Sequence, residues 1–89
     1  VNNMNETTYN GWTNKETWNT ALWMGNEESL YKLIHRVLSN SKNEGDFATH
    51  LESFLLIIWD GKTPDGLSLD PVNFSEIAEA WWEDYKSIN

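Results

Sequence analysis

The chain contains no cysteine, which removes disulfides and thiolate metal sites at once. Its longest uninterrupted apolar run, Phe54 to Trp59, spans six residues, against the roughly 18 that a membrane span requires. The first residues, Val1 to Thr8, are polar and offer neither a basic region nor an apolar one, so no secretory leader is expected. Basic residues are scarce: six Lys and Arg stand against fourteen Asp and Glu, a net charge of −8. Direct binding to a nucleic-acid backbone needs clustered Lys and Arg, and no such cluster exists. The absences leave a small acidic domain, expected to be cytoplasmic, with no membrane attachment and no nucleic acid bound directly.

What is present is concentrated. Six tryptophans occur in 89 residues, and large rings supply the apolar area that a short, cysteine-free chain otherwise lacks. The charge is equally uneven. Up to Asn43, Lys15, Lys32, Arg36 and Lys42 balance Glu6, Glu16, Glu27 and Glu28. Beyond it only Lys62 and Lys86 oppose the acids, so the whole net charge belongs to residues 44–89.

Periodicity predicts an all-α fold: one compact domain of about four helices over residues 9–89, after a flexible segment 1–8. Tyr9-Asn10-Gly11 reads as a turn. Thr13 and Glu16 have the spacing of a capping box for a first helix, with Trp18, Ala21 and Leu22 on its inner face and Gly25 at its end. Trp12 precedes the cap and can staple the helix start. Asn26 can cap a second helix, whose Leu30, Leu33, Ile34, Val37 and Leu38 form the cleanest helical stripe in the chain. A third helix, capped by Asp46 or begun near Ser41, carries Phe47, Leu51, Phe54, Leu55 and Ile58 on one face. Leu56 and Ile57 make its end apolar on more than one side, which suits a central helix, a homodimer contact or a short strand over 54–59. Residues 60–66 are turn chemistry, and Leu67 and Leu69 pin that loop to the core. Asn73 caps a fourth helix with Val72 stapling Ile77, and Phe74, Ile77, Ala78, Trp81, Tyr85 and Ile88 form its apolar side.

Chemistry-bearing patterns are few. His35 lies off the second helix's stripe and is expected to be exposed, while His50 borders the third helix's core. No pair of histidines has metal-ligand spacing, and Asp60, Asp65 and Asp70 lack the order of a calcium loop. No metal, cofactor or catalytic group is expected. Two surfaces remain as candidates. Glu76, Glu79 and Glu83, with Asp84 beside them, form an acidic rail about 5 Å per step along the fourth helix. Such a rail is either an ordinary solvated face or an imitation of phosphate charge that occupies a basic groove, with Asp60, Asp65 and Asp70 alongside. Trp82, Trp23, Leu56 and Ile57 lie at or beyond the stripe edges and are candidates for an apolar partner or oligomer contact.

Gly11-Trp12-Thr13-Asn14-Lys15-Glu16-Thr17-Trp18, followed by Leu22-Trp23, resembles the opening signature of a family of small uncharacterised proteins of bacteriophages, plasmids and bacteria, cyanobacteria included. The stretch from Asp70 to Asp84, with Ile77-Ala78-Glu79 and Trp82-Glu83-Asp84, is similar to that family's ending. The resemblance implies a setting among mobile elements and their hosts and brings no catalytic residues with it. Trp12, Thr13, Glu16 and Trp18 read as a structural start to the fold, while Asn14 and Thr17 have no role that the sequence explains. The resulting expectation is a non-enzymatic accessory protein that binds a host protein, such as a basic defence nuclease, as an anti-CRISPR or anti-restriction inhibitor. The alternative is a homo-oligomeric scaffold or regulator that binds through its aromatic surface.

Overall fold

In the computed structural model, which describes residues 9–88, four helices run as α1 (Lys15–Asn26), α2 (Glu28–Ser39), α3 (Glu44–Trp59) and α4 (Phe74–Ile88). The flexibility expected of residues 1–8 falls outside the described part. The all-α class and the helix number follow the sequence expectation, and the strand considered for residues 54–59 is the last part of α3. Helices α3 and α4 form the most extensive packing, with α1 against α2 next.

Helix starts are set by side-chain acceptors, and three differ from expectation. Asn14, not Thr13, caps α1: its backbone is extended and its side chain accepts from Thr17 N. Glu16 therefore sits inside the first turn, where its charge suits the helix dipole, and closes no capping box. Gly25 does not stop α1, which continues to Asn26, and Glu27 rather than Asn26 caps α2 by accepting from Leu30 N. Helix α3 is capped by Asn43, whose Oδ1 accepts from Asp46 N at 2.8 Å, while Asp46 Oδ2 accepts from Lys42 N at 2.9 Å. Asp46 thus works as the returning member of the cap rather than the cap itself. Asn73 caps α4 as expected, accepting from Glu76 N at 3.1 Å.

The core gathers Leu30, Ile34 and Leu38 of α2, Phe47, Leu51 and Leu55 of α3, and Phe74, Ile77 and Ala78 of α4. Leu69 and Val72 close it from the connecting loop, whereas Leu67 is only half-buried. This loop is ordered by Thr63, which is buried and accepts from Leu67 N on its hydroxyl, and by a bridge between Lys62 and Ser68. Asp60 and Gly61 both take positive φ, the Asx-Gly turn that lets the chain reverse directly after α3.

Helix α1 overturns the expected inner face. Thr17, Asn19, Thr20 and Met24 are buried, while Leu22 is exposed and Trp18 stands outside the core, edge-on to Tyr9 at 5.0 Å. The helix inserts small hydroxyl side chains and leaves its bulky rings at the margin. None of the six tryptophans is fully buried; Trp12, Trp59, Trp81 and Trp82 pack on the core from outside. The hydroxyl of Thr20 is buried without a hydrogen-bond partner among the described residues. Thr20→Val keeps the shape and removes that unpaired group, so it is expected to raise stability by about 1 kcal/mol, read as a higher denaturant midpoint.

Candidate functional site

The site is built around Trp12. Asn10 and Gly11 both lie at positive φ, giving a tight turn in which Tyr9 and Trp12 exchange two backbone hydrogen bonds of 2.7 and 2.8 Å. This turn presents Trp12 where the start of α1 meets α4. The junction is locked by polar contacts. Thr13 N donates to Glu76 Oε1 at 3.0 Å, Asn14 Nδ2 donates to Pro71 O at 2.8 Å, and Asn73 N donates to Thr17 Oγ1 at 2.9 Å. The Thr17 hydroxyl in turn donates to Asn14 Oδ1 at 2.6 Å. Asn14 and Thr17 therefore join the two ends of the chain.

Three clefts share the Trp12 indole. One, of about 330 Å³, lies between α1, α2 and α4 and is lined by Tyr31, His35, Trp81 and Asp84 with Ala21 and Ala80. A second, of about 380 Å³, is lined by Gly11, Glu76, Glu79, Ala80 and Glu83. A third, of about 260 Å³, reaches Trp18 and Leu22. His35 is not simply exposed as expected: it is half-buried between Tyr31 and Trp81, with ring centroids at 4.7 and 5.4 Å. His50 is exposed, with Asp46 Oδ1 3.6 Å from its Nε2.

The acidic candidates separate on inspection. Glu79, Glu83 and Asp84 are exposed on α4, and among the described residues only Glu83 of the three is ion-paired, with Lys86 at 3.6 Å across an exposed gap worth little in water. Glu76 is half-buried and committed to Thr13 N. The cleft that Glu76, Glu79 and Glu83 line contains none of the loop aspartates. Asp65 is held on α1 instead, where its Oδ2 accepts from Asn19 Nδ2 at 2.7 Å and from Trp23 Nε1 at 3.0 Å. Asp60 forms the left-handed cap of α3, and Asp70 lies exposed just before α4.

The hydrogen bond from Asn19, helped by that from Trp23, lowers the Asp65 pKa below its ordinary value of 3.8 against a small opposing effect of desolvation. A carboxylate with a lowered folded-state pKa contributes stability above its unfolded value and loses it as pH falls through the folded one. The Trp23 indole N–H resonance is therefore expected to move in a titration midpoint below pH 3.8, and Asp65→Ala removes that transition.

The apolar candidates also divide. Trp82 packs on the core and beside Tyr85 at 5.7 Å. Trp23 lines a groove of about 320 Å³ with Leu30, Leu33, Ile58, Trp59 and Pro64. Leu56 and Ile58 are each 43% exposed and Ile57 is 80% exposed, while Leu55 is fully buried and Trp59 packs on the core, so the end of α3 keeps one face inside and turns the other to the surface instead of being enclosed as a central helix. Tyr31, His35 and Trp81, with Ala21 and Ala80, line the first of the Trp12 clefts without being site candidates on sequence grounds. The four-residue step from Tyr31 to His35 was the available signal, because it puts two rings on one face of α2.

Among the described residues, no group of three or more His, Cys, Asp or Glu is arranged to hold a metal ion. No helix in them is long and apolar enough to cross a membrane. The fold and surface define a small helical domain with an acidic, aromatic-studded face. The chain belongs to a family of unknown function, DUF7249, whose model matches residues 5–87. No curated protein and no solved structure matches it significantly.

Proposed function

We propose that the chain is a non-enzymatic accessory protein, of phage or mobile-element type, that binds a host protein through the outer face of α4. Its partner is a basic, nucleic-acid-binding protein such as a defence nuclease, and the binding inhibits it in the manner of an anti-CRISPR or anti-restriction protein. The observation that carries this reading is the pairing of Glu79 and Glu83 with the half-buried Trp12 indole in one cleft. Separated charges steer a basic partner, and a flat ring at their centre supplies the apolar contact that charge alone does not. The resemblance of the Gly11–Trp18 signature to proteins of mobile elements supports the setting. The test is the affinity for a purified CRISPR or restriction nuclease across a salt series. Affinity that falls steeply with ionic strength is expected, and affinity indifferent to salt overturns the acidic docking mode.

A second reading is favoured by one observation, the 80% exposure of Ile57 with Leu56 and Ile58 beside it. Here two copies associate through the end of α3 and the groove lined by Trp23 and Leu33. Light scattering is then expected to give a dimer mass that Ile57→Glu reduces to the monomer. A monomer at high concentration contradicts it.

A further inference from the structure

We infer that the cleft between α1, α2 and α4 is a binding site for an arginine side chain. Four aromatic rings, those of Trp12, Tyr31, His35 and Trp81, line about 330 Å³ of space together with one carboxylate, Asp84. Tyr31, His35 and Trp81 are already in mutual contact, at centroid distances between 4.7 and 5.4 Å, so their positions are fixed before any ligand arrives. Preformed aromatic walls attract a cation through the negative faces of their rings. Asp84 follows Trp81 by three residues, which places its carboxylate beside the indole on one face of α4. It forms no ion pair with any described residue.

That combination selects among cations. A guanidinium is planar and weakly hydrated; it can lie on a ring while its edge donates to a carboxylate, whereas an ammonium is a compact, strongly hydrated charge. Ala21 and Ala80 leave the space open, since a longer side chain at either position would occupy it. Trp12 also lines the cleft of Glu79 and Glu83, so an arginine seated here belongs to the same basic surface that those acids face. The inference deepens the docking reading above and rests on it for the arginine's being part of a protein.

N-acetyl-arginine amide is titrated into the full chain while the indole N–H resonances are followed. Saturable shifts of the Trp12 and Trp81 signals are expected, with no such shifts from the uncharged N-acetyl-citrulline amide. Asp84→Asn should weaken binding about tenfold, the loss of one charge-assisted hydrogen bond. Ala80→Leu, at an exposed position that leaves the core intact, should abolish it with the thermal midpoint unchanged. Absence of saturable shifts, an equal response to citrulline, or an N-acetyl-lysine amide that binds as tightly overturns the assignment. Failure here leaves salt-dependent nuclease binding standing, while nuclease binding indifferent to salt leaves this titration unaffected.

Discussion

Asn14→Ala is expected to lower the stability of the domain by about 2 kcal/mol, and Thr13→Ala to change it by less than about 0.5 kcal/mol. The contrast follows from what each side chain holds. Asn14 accepts from Thr17 N at 2.8 Å as the helix cap, and its amide donates to Pro71 O at 2.8 Å. Loss of the cap costs about 1 kcal/mol, and loss of the bond to Pro71 about the same again. The Thr13 side chain receives only a long contact, 3.4 Å, from Asn73 Nδ2, and its stronger bond to Glu76 is made by the backbone. Thr17→Val tests the other half of the lock. It keeps the shape of a fully buried residue but leaves Asn73 N without its acceptor, at a cost of about 1–3 kcal/mol. In a domain of this size each kcal/mol moves the thermal midpoint by about 4–8 °C, so Asn14→Ala should lower it by about 8–16 °C. A Thr13→Ala variant that falls as far as Asn14→Ala would restore Thr13 as the cap and contradict this assignment. Thr17→Val and Thr20→Val, one turn apart and chemically identical, should move stability in opposite directions.

The second large effect concerns binding. Glu79→Lys with Glu83→Lys is expected to weaken docking on a basic nuclease by a hundredfold or more, since close charge pairs across interfaces couple by about 1.5–7 kcal/mol each. Both residues are exposed, and among the described residues the only ion pair disturbed is the exposed one between Glu83 and Lys86. The thermal midpoint should therefore stay close to that of the native chain. Glu76 is left out of the variant because its carboxylate holds Thr13 N, and reversing it would combine a folding defect with a binding one. Undiminished binding by the double variant, measured calorimetrically at low salt, would remove α4 from the interface.

Much of this architecture is legible in the residues, for identifiable reasons. The α2 stripe and the Asn73 cap of α4 are strong local signals, and tertiary packing agrees with most of them: Leu30, Ile34 and Leu38 are buried and Asn73 accepts from Glu76 N, whereas Leu33, at the edge of the stripe, is exposed. Helix α1 misleads because hydrophobicity is a poor guide where tertiary contacts supply partners for a buried hydroxyl. Thr17 hides its oxygen in the Asn14 and Asn73 bonds and can be buried like a valine, which leaves Trp18 and Leu22 to face outward. Asn14 rather than Thr13 is the cap, and its amide accepts from Thr17 N and donates to Pro71 O at once, which ties the helix start to the loop before α4. The acidic rail was visible as spacing, but its division was not. Whether a carboxylate is free depends on partners 42 to 63 residues away, as for Asp65 with Trp23 and Glu76 with Thr13. The aromatic cleft is illegible for the same reason, since its rings come from the turn before α1, from α2 and from α4.

On the proposed docking mode, the acids and Trp12 on the α4 side take the place of nucleic acid on a basic partner. Competition decides it: a fluorescent oligonucleotide is bound to the purified nuclease, and its anisotropy is followed as the chain is added. Release of the oligonucleotide by the native chain, weakened by salt and lost in the Glu79→Lys, Glu83→Lys variant, is the predicted result. A complex in which nuclease, oligonucleotide and chain coexist would contradict it.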